Sequence, residues 1–173
     1  RLPGMLWASV LRAPVQGETP DSVDDSAARA VAGVKNVVRL PYGVAVVADS
    51  FYTAKMARNK LKVVWSQKSK ARVQYTDQMR VEYAKRAEDL YDKGVAFIAH
   101  GDAAKQLAGA TRTFSATYTS EMVSHICLEP MNCTARVDGD KIEVWAPAQS
   151  ASFVTGTVAG AAGFKPENIT VNI

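Results

Sequence analysis

Short apolar runs separated by polar turns organise the first third of the chain. Four of these runs are typical of β-strands: residues 6–11, 34–40, 43–48 and 62–65. The segment VAVVA at 44–48 is apolar enough for a strand buried on both faces. The acidic and then alanine-rich segment 21–31 predicts a helix, as do residues 51–61 after the cap residue Ser50. This mixed order of strands and helices predicts a compact α/β unit over residues 6–65.

The remainder of the chain predicts a second series of elements. We expect helices at 76–92, 102–107 and 150–162, and strands at 95–99, 111–121 and 169–173. The first of these helices, with Thr76 as its cap, has an inner apolar stripe of Met79, Tyr83, Ala87 and Leu90. The strand-like runs CTARV and KIEVW flank Asp138-Gly139-Asp140, which predicts a β-hairpin whose glycine takes a positive φ.

Length and charge exclude some classes of function. The 173 residues have a net charge of +4, but the lysines and arginines are scattered, so no nucleic-acid site is predicted. No apolar run reaches the roughly 18 residues that a membrane-spanning helix needs. Because the chain opens on Arg1 without a signal peptide and closes on the strand-like ITVNI, we expect an excised piece of a longer protein.

The two cysteines, Cys127 and Cys133, lie six positions apart on either side of a proline-containing turn. Two cysteines are too few for a disulfide framework, and no second Cys or His pair completes a zinc site. Buried free thiols are the expected state. A disulfide between them is conceivable in an oxidising compartment.

Candidate chemistry is concentrated in residues 124–149. His125 and Glu129 could act as a base and its orienting partner or as two metal ligands. Since Pro130 disfavours a helix at Glu129, the four-residue spacing does not place them on one helical face, and we expect a structural role instead. No catalytic residue and no metal site is predicted.

The other end of this stretch is Trp145-Ala146-Pro147-Ala148-Gln149. A strand ends at the tryptophan, the proline directs the chain off the sheet, and a neutral amide is left just before a helix start. Such an amide could hold a ligand oxygen or could bond the neighbouring backbone, which is the more common use of side-chain amides.

Several stretches together resemble the large molybdopterin-binding subunit of the xanthine dehydrogenase and aldehyde oxidase family. They are HICLEPMNCTARVDGDKIEVWAPAQ, LPGMLWASVLRAP and GVAVVADSFYTAKMARNKLKVVW. The likeness extends over essentially the whole chain and is strongest to the isoquinoline 1-oxidoreductase beta-subunit branch, which includes membrane-associated aldehyde dehydrogenases. It implies an α+β fold, with an α/β hammerhead domain at 1–113. Residues 114–173 would be the start of a molybdenum-cofactor-binding domain, truncated before its glycine-rich loop.

The resemblance also implies roles for individual residues. By position, Gln149 would bind the cofactor in the full-length enzyme, its amide bonding the apical oxygen ligand of molybdenum. His125, Glu129 and Asn132 match a structural motif, in which a buried Glu129 would bond backbone amides at the entry to the cofactor domain. The family's catalytic glutamate would lie outside this chain.

For the full-length protein, the resemblance implies a molybdenum hydroxylase that oxidises aldehydes or N-heteroaromatic compounds. Its cofactor would be of the molybdopterin type, and none is expected on this chain alone, which should be inactive. Expected partners are a small-molecule substrate, an iron-sulfur subunit with two two-iron two-sulfur clusters and, in some members, a cytochrome subunit. The chain itself does not indicate a location, and the resemblance implies a bacterial protein that is periplasmic or associated with the membrane on its periplasmic side. The alternative is a non-catalytic α/β interaction domain that uses a hammerhead scaffold for assembly.

Overall fold

The computed structural model describes residues 2–89, 94–124 and 127–173. The chain divides into two compact units, the first ending at Phe114 and the second comprising Ser115–Ile173. Both units combine helices with β-sheet. The mixed helix and sheet class predicted from the sequence is therefore confirmed, whereas the hammerhead assignment of the first unit stays a prediction.

The first unit contains two antiparallel sheets. Its strands are β1 (Trp7–Arg12), β2 (Pro20–Asp24), β3 (Val34–Leu40), β4 (Gly43–Ala48) and β5 (Lys62–Trp65). Its helices are α1 (Ser26–Arg29), α2 (Phe51–Arg58), α3 (Thr76–Glu88) and α4 (Ala103–Ala108). One sheet has the order β1-β4-β3, and the other pairs β2 with β5. The central position of β4 explains its apolar sequence, because a middle strand covered by helices is buried on both faces.

The core of the first unit lies where α1 and α2 meet the three-stranded sheet. Ala28, Val46 and Ala57 are fully buried there, and Val34 and Leu61 pack against them. The start of α2 is fixed by Ser50, whose Oγ accepts a hydrogen bond from the Thr53 backbone N–H at 3.0 Å. The predicted Ser50 cap is thus confirmed.

The helix predicted at 21–31 is wrong in its first half. Residues Pro20–Asp24 form β2, which pairs antiparallel with β5, and only Ser26–Arg29 is helical. The acidic residues suggested a helical first turn, but pairing with the apolar β5 overrides that local preference. Asp24 instead accepts hydrogen bonds from the Ser26 backbone N–H at 3.1 Å and from Ser26 Oγ at 2.6 Å, and so holds the short helix at its start.

A buried carboxylate joins the loop after β1 to the loop after β5. Glu18 is 1% exposed, and both its oxygens accept hydrogen bonds from Arg72, with the Arg72 Nη2 to Glu18 Oε2 distance at 3.0 Å. Ser66 Oγ accepts from the Thr19 backbone N–H at 3.1 Å beside this pair. A buried carboxylate requires such a partner, because an unpaired one would lose its hydration without compensation.

Three predictions between residues 76 and 121 need correction. The predicted helix 76–92 is present as Thr76–Glu88, but Thr76 is its first residue rather than its cap, and none of its described residues is buried. Residues 90–92 of that prediction, including Leu90, lie outside the described residues. The strands predicted at 95–99 and 111–121 are not formed, and every residue in both segments is exposed. The short helix predicted at 102–107 is confirmed as α4, capped by Asp102.

The second unit is a β-hairpin followed by a β-α-β crossover. It contains β6 (Thr134–Asp138), β7 (Lys141–Trp145), α5 (Ala151–Ala162) and β8 (Ile169–Asn172). The strand order is β6-β7-β8, with β6 and β7 antiparallel and β7 and β8 parallel. The hairpin turns at Gly139, whose φ of 60° confirms the predicted positive value. Its small core lies on β7, where Ile142 and Val144 are buried.

Candidate cofactor-binding site

At one end of the three-stranded sheet in the second unit, the start of β6 lies beside the ends of β7 and β8. Thr134 at the start of β6 pairs with Trp145 at the end of β7, and Trp145 pairs with Asn172 at the end of β8. The Ala146 backbone N–H extends this ladder by donating to the Asn172 carbonyl at 3.0 Å. In sheets of this kind, ligands bind beyond the carboxyl ends of the parallel strands, which is this end of the sheet.

Gln149 lies at this end of the sheet, four residues beyond Trp145 and exposed to solvent. Pro147, which lacks a backbone N–H, follows the last ladder bond, so the chain leaves the sheet there. Within the described residues, the Gln149 side chain forms no hydrogen bond. Its amide therefore has free donor and acceptor capacity toward a ligand, rather than acting as a cap for the neighbouring backbone.

The residue after Gln149 begins α5. Ser150 Oγ accepts a hydrogen bond from the Phe153 backbone N–H at 3.3 Å, which caps the twelve-residue helix. The free backbone N–H groups of the first turn and the positive end of the helix dipole therefore lie next to Gln149. Both features favour a ligand atom that carries negative charge.

The other predicted motif residues precede β6. The Asn132 Nδ2 donates to the Pro130 carbonyl at 2.9 Å and closes the turn before the strand. Glu129 is exposed, so the buried carboxylate that the resemblance implied is not formed in this structure. A carboxylate of an exposed turn keeps its hydration and needs no backbone amide. His125 lies outside the described residues, and the structural role of these three residues stays a prediction.

The expectation of buried thiols is wrong. Cys127 and Cys133 are both free and exposed, as is every residue of the turn between them. Although Cys133 is exposed as a residue, its sulfur is partly shielded from water, and this desolvation raises the pKa of the thiol.

The described residues contain no group of three His, Cys, Asp or Glu side chains that could hold a metal ion. Across the same residues, no helix has the length and apolar character to cross a membrane. Sequence reasoning identified Gln149 but missed Asn172, which lies at the same end of the sheet and whose Nδ2 donates to Glu143 Oε1 at 3.2 Å. A prediction of the parallel pairing of β7 and β8 would have located it.

A parallel crossover with an uncommitted amide at the carboxyl end of its first strand is the arrangement of a ligand-binding α/β domain. The family model described as molybdopterin cofactor-binding domain matches residues 87–173, just over half of the chain. The chain belongs to this family, and the predicted resemblance is confirmed.

Individual proteins agree with this assignment. The chain is 30% identical over 186 aligned residues to isoquinoline 1-oxidoreductase subunit beta of Brevundimonas diminuta, an alignment that covers 100% of this chain and 23% of that protein. The chain thus spans about a quarter of the length of this curated relative.

Solved structures show a shared fold at lower identity. Aldehyde oxidoreductase from Desulfovibrio gigas has a TM-score of 0.70 and 17% identity, with 99% of this chain and 23% of that chain covered. Quinoline 2-oxidoreductase from Pseudomonas putida 86 has a TM-score of 0.64 and 17% identity, with 99% and 27% covered.

Proposed function

We propose that this chain is part of the large subunit of a molybdenum hydroxylase that oxidises aldehydes or N-heteroaromatic compounds. The match of residues 87–173 to the molybdopterin cofactor-binding family supports the cofactor, and the relative named isoquinoline 1-oxidoreductase supports the substrate class. The observation that carries the proposal is the position of Gln149, an exposed amide beyond the carboxyl end of β7 that bonds to no other residue that the structure describes.

At this end of the sheet, the Gln149 side chain could make one hydrogen bond to such a cofactor. When bound, a molybdenum cofactor supplies two-electron oxidation of the substrate. The Gln149 amide can donate a hydrogen bond to an oxygen ligand of the metal, while the first turn of α5 favours nearby negative charge. Trp145 and Pro147 set the point at which the chain leaves the sheet, so they determine where the amide lies. The role of this chain is thus to bind and orient, and it moves no proton.

The chain by itself should be inactive. A single amide contact does not retain a cofactor, because the ordering cost of binding would exceed what one hydrogen bond contributes. Purified protein analysed by inductively coupled plasma mass spectrometry should contain no stoichiometric molybdenum, and an aldehyde should not be oxidised. Stoichiometric molybdenum in this chain would contradict this part of the proposal.

The remaining features of the proposal concern the longer protein. We assign residues 1–113 to a hammerhead domain and residues 114–173 to the start of the cofactor domain. An iron-sulfur subunit would take up the electrons, and the name "subunit beta" of the curated relative supports a multi-subunit assembly. We place the protein in the periplasm, which fractionation of cells that express the longer protein would test.

The decisive experiment replaces Gln149 by Ala in the full-length enzyme. We expect kcat to fall by about 10–100-fold, the usual loss when a residue that supports a metal centre is removed. Gln106→Ala is the matched control, because Gln106 is an exposed glutamine on α4 in the other unit. Molybdenum content should be measured for both variants, so that loss of the cofactor is distinguished from a slower reaction.

Two outcomes would distinguish the proposed role of Gln149 from the proposed molybdenum enzyme. If Gln149→Ala leaves both kcat and molybdenum content unchanged, Gln149 is not a cofactor contact, although the family assignment stands. If the full-length protein contains no molybdenum at all, the alternative of a non-catalytic interaction domain on the same scaffold is correct.

A further inference from the structure

We infer that Cys127 and Cys133 form a redox-sensitive disulfide that closes the turn before β6. The inference rests on three observations: both thiols are free and exposed, the chain bends between them, and no regular element has to break for them to meet. It does not depend on the proposed function.

The segment between the two sulfurs is already curved. The chain bends at Leu128 and Glu129, and the hydrogen bond from Asn132 Nδ2 to the Pro130 carbonyl at 2.9 Å tightens the following turn. Pro130 restricts its own φ and the conformation of Glu129, which lowers the number of open conformations that closure must exclude. The segment that closure has to bend is therefore already bent and conformationally restricted.

Loop length favours an internal bond over a bond to another molecule. Only five residues separate the cysteines. The entropic cost of closure rises with the logarithm of loop length, so a loop this short gives a high effective concentration of one thiol near the other. Every described residue from 127 to 133 is exposed, so closure requires no buried side chain to leave a core.

The disulfide would lie at the end of the sheet that carries Gln149. Cys133 directly precedes Thr134, and Thr134 pairs with Trp145 at the end of β7. Closure would enclose Glu129 and Asn132 within the ring and attach the turn to the first residue of the hairpin ladder. The redox state of the pair would thus decide whether this turn is constrained beside the candidate site.

Closure proceeds by thiol–disulfide exchange with a low-molecular-weight disulfide. A thiolate of one cysteine attacks a sulfur of the small disulfide, which releases one small thiol and leaves a mixed disulfide. The second cysteine then attacks the protein sulfur of that mixed disulfide and releases the second small thiol. The two protein thiols are oxidised, the small disulfide is reduced to two thiols, and two protons are carried by those thiols.

The rate of closure should depend on pH, because the attacking species is a thiolate. The raised pKa of Cys133 lowers its thiolate fraction near neutral pH, and the thiolate is the attacking species. Closure should consequently become faster as the pH rises toward the pKa of Cys133.

The test equilibrates the purified protein with mixtures of oxidised and reduced glutathione, followed by acid quenching, alkylation and mass spectrometry of the intact protein. The oxidised product should have lost two hydrogen atoms and should contain no glutathione, and peptide mapping should link Cys127 to Cys133. Cys127→Ser and Cys133→Ser are matched controls, which cannot form the internal disulfide and can only form mixed disulfides or linked dimers under the same conditions.

Three results would overturn the inference. They are free thiols in oxidised glutathione at concentrations that fully modify the single-cysteine variants, a wild-type protein that carries glutathione on both cysteines, and disulfide-linked dimers as the main product.

Discussion

Strands are predicted from the sequence both for the β3–β4 hairpin and for the segment 111–121, but the structure forms only the first. Val34–Leu40 and Gly43–Ala48 pair across a two-residue turn, and Val46 is 0% exposed in the core. Residues 111–121 form no strand, and Phe114 and Tyr118 are 92% and 90% exposed. A strand-like sequence therefore marks a segment as able to form a strand, and the presence of a pairing partner decides whether it does.

The two segments differ in whether hydrogen bonds and burial offset the conformational entropy that is lost when a strand forms. Fixing a residue in the β region costs about 1–2 kcal/mol, which ladder hydrogen bonds and burial must offset. The two-residue connection at Pro41 and Tyr42 brings β4 beside β3 at a small loop cost, and α2 covers the sheet. Residues 111–121 bury nothing within the described chain, so the same cost is not met there.

Hydrogen exchange should show the largest contrast between the two regions. The amides of Ala45 and Val46 lie in the central strand and should exchange only through substantial unfolding. The amides of Phe114 and Tyr118 should exchange roughly 10³-fold faster or more, given the usual stability of a folded domain. Exchange followed by NMR or by mass spectrometry of peptides measures both. Equal protection in the two segments would mean that residues 111–121 form a hydrogen-bonded strand in solution. The contrast with the β3–β4 hairpin would then be wrong.

A matched pair of valine substitutions tests the same contrast through stability. Val46→Ala removes two buried methyl groups beside Ala28 and Ala57, and should lower the free energy of unfolding by about 2–3 kcal/mol. Val95→Ala removes the same atoms from a side chain that is 97% exposed. This substitution should change the free energy of unfolding by less than about 0.5 kcal/mol. Urea unfolding followed by circular dichroism measures both values. A loss for Val95→Ala comparable to that for Val46→Ala would show that Val95 is covered in solution.

Sequence reasoning succeeded where local signals and short connections coincide. Ser50 capped α2, Gly139 turned the hairpin and VAVVA became a central strand, because each depends on residues that are close in the chain. It failed for β2, since an acidic strand is stabilised only by β5, about forty residues later. The Glu18–Arg72 pair was missed for the same reason, because 54 positions separate the two residues.

The candidate site was predicted in part. The position of Gln149 after a strand and before a helix could be read from Trp145 to Ser150, and its exposure agrees with a residue free to bind a ligand. The location of Asn172 depends on the parallel pairing of β8 with β7 across α5, which periodicity does not reveal. The exposure of Cys127 and Cys133 contradicts the usual burial of cysteine, because no described element covers that turn.

The smallest expected effect concerns an exposed side chain of the first unit, the carboxyl group of Asp24. The hydrogen bond from Ser26 Oγ and then that from the Ser26 backbone N–H lower the pKa of the Asp24 carboxyl, with a further contribution from Lys62. A carboxyl with a lowered pKa in the folded state contributes stability above its unfolded-state pKa, and this contribution is lost as the pH falls through the folded-state pKa.

Ser26→Ala should therefore raise the pKa of Asp24 toward its ordinary range, because it removes the largest cause and retains the backbone bond. An NMR titration of the Asp24 carboxyl carbon measures the shift. Ser22→Ala is the matched control, since Ser22 is exposed on β2 and forms no hydrogen bond with Asp24 among the described residues. The acid side of the stability curve should change in the first variant only. An unchanged Asp24 pKa in Ser26→Ala would mean that the turn between β2 and α1 is as loosely held as the segment 111–121.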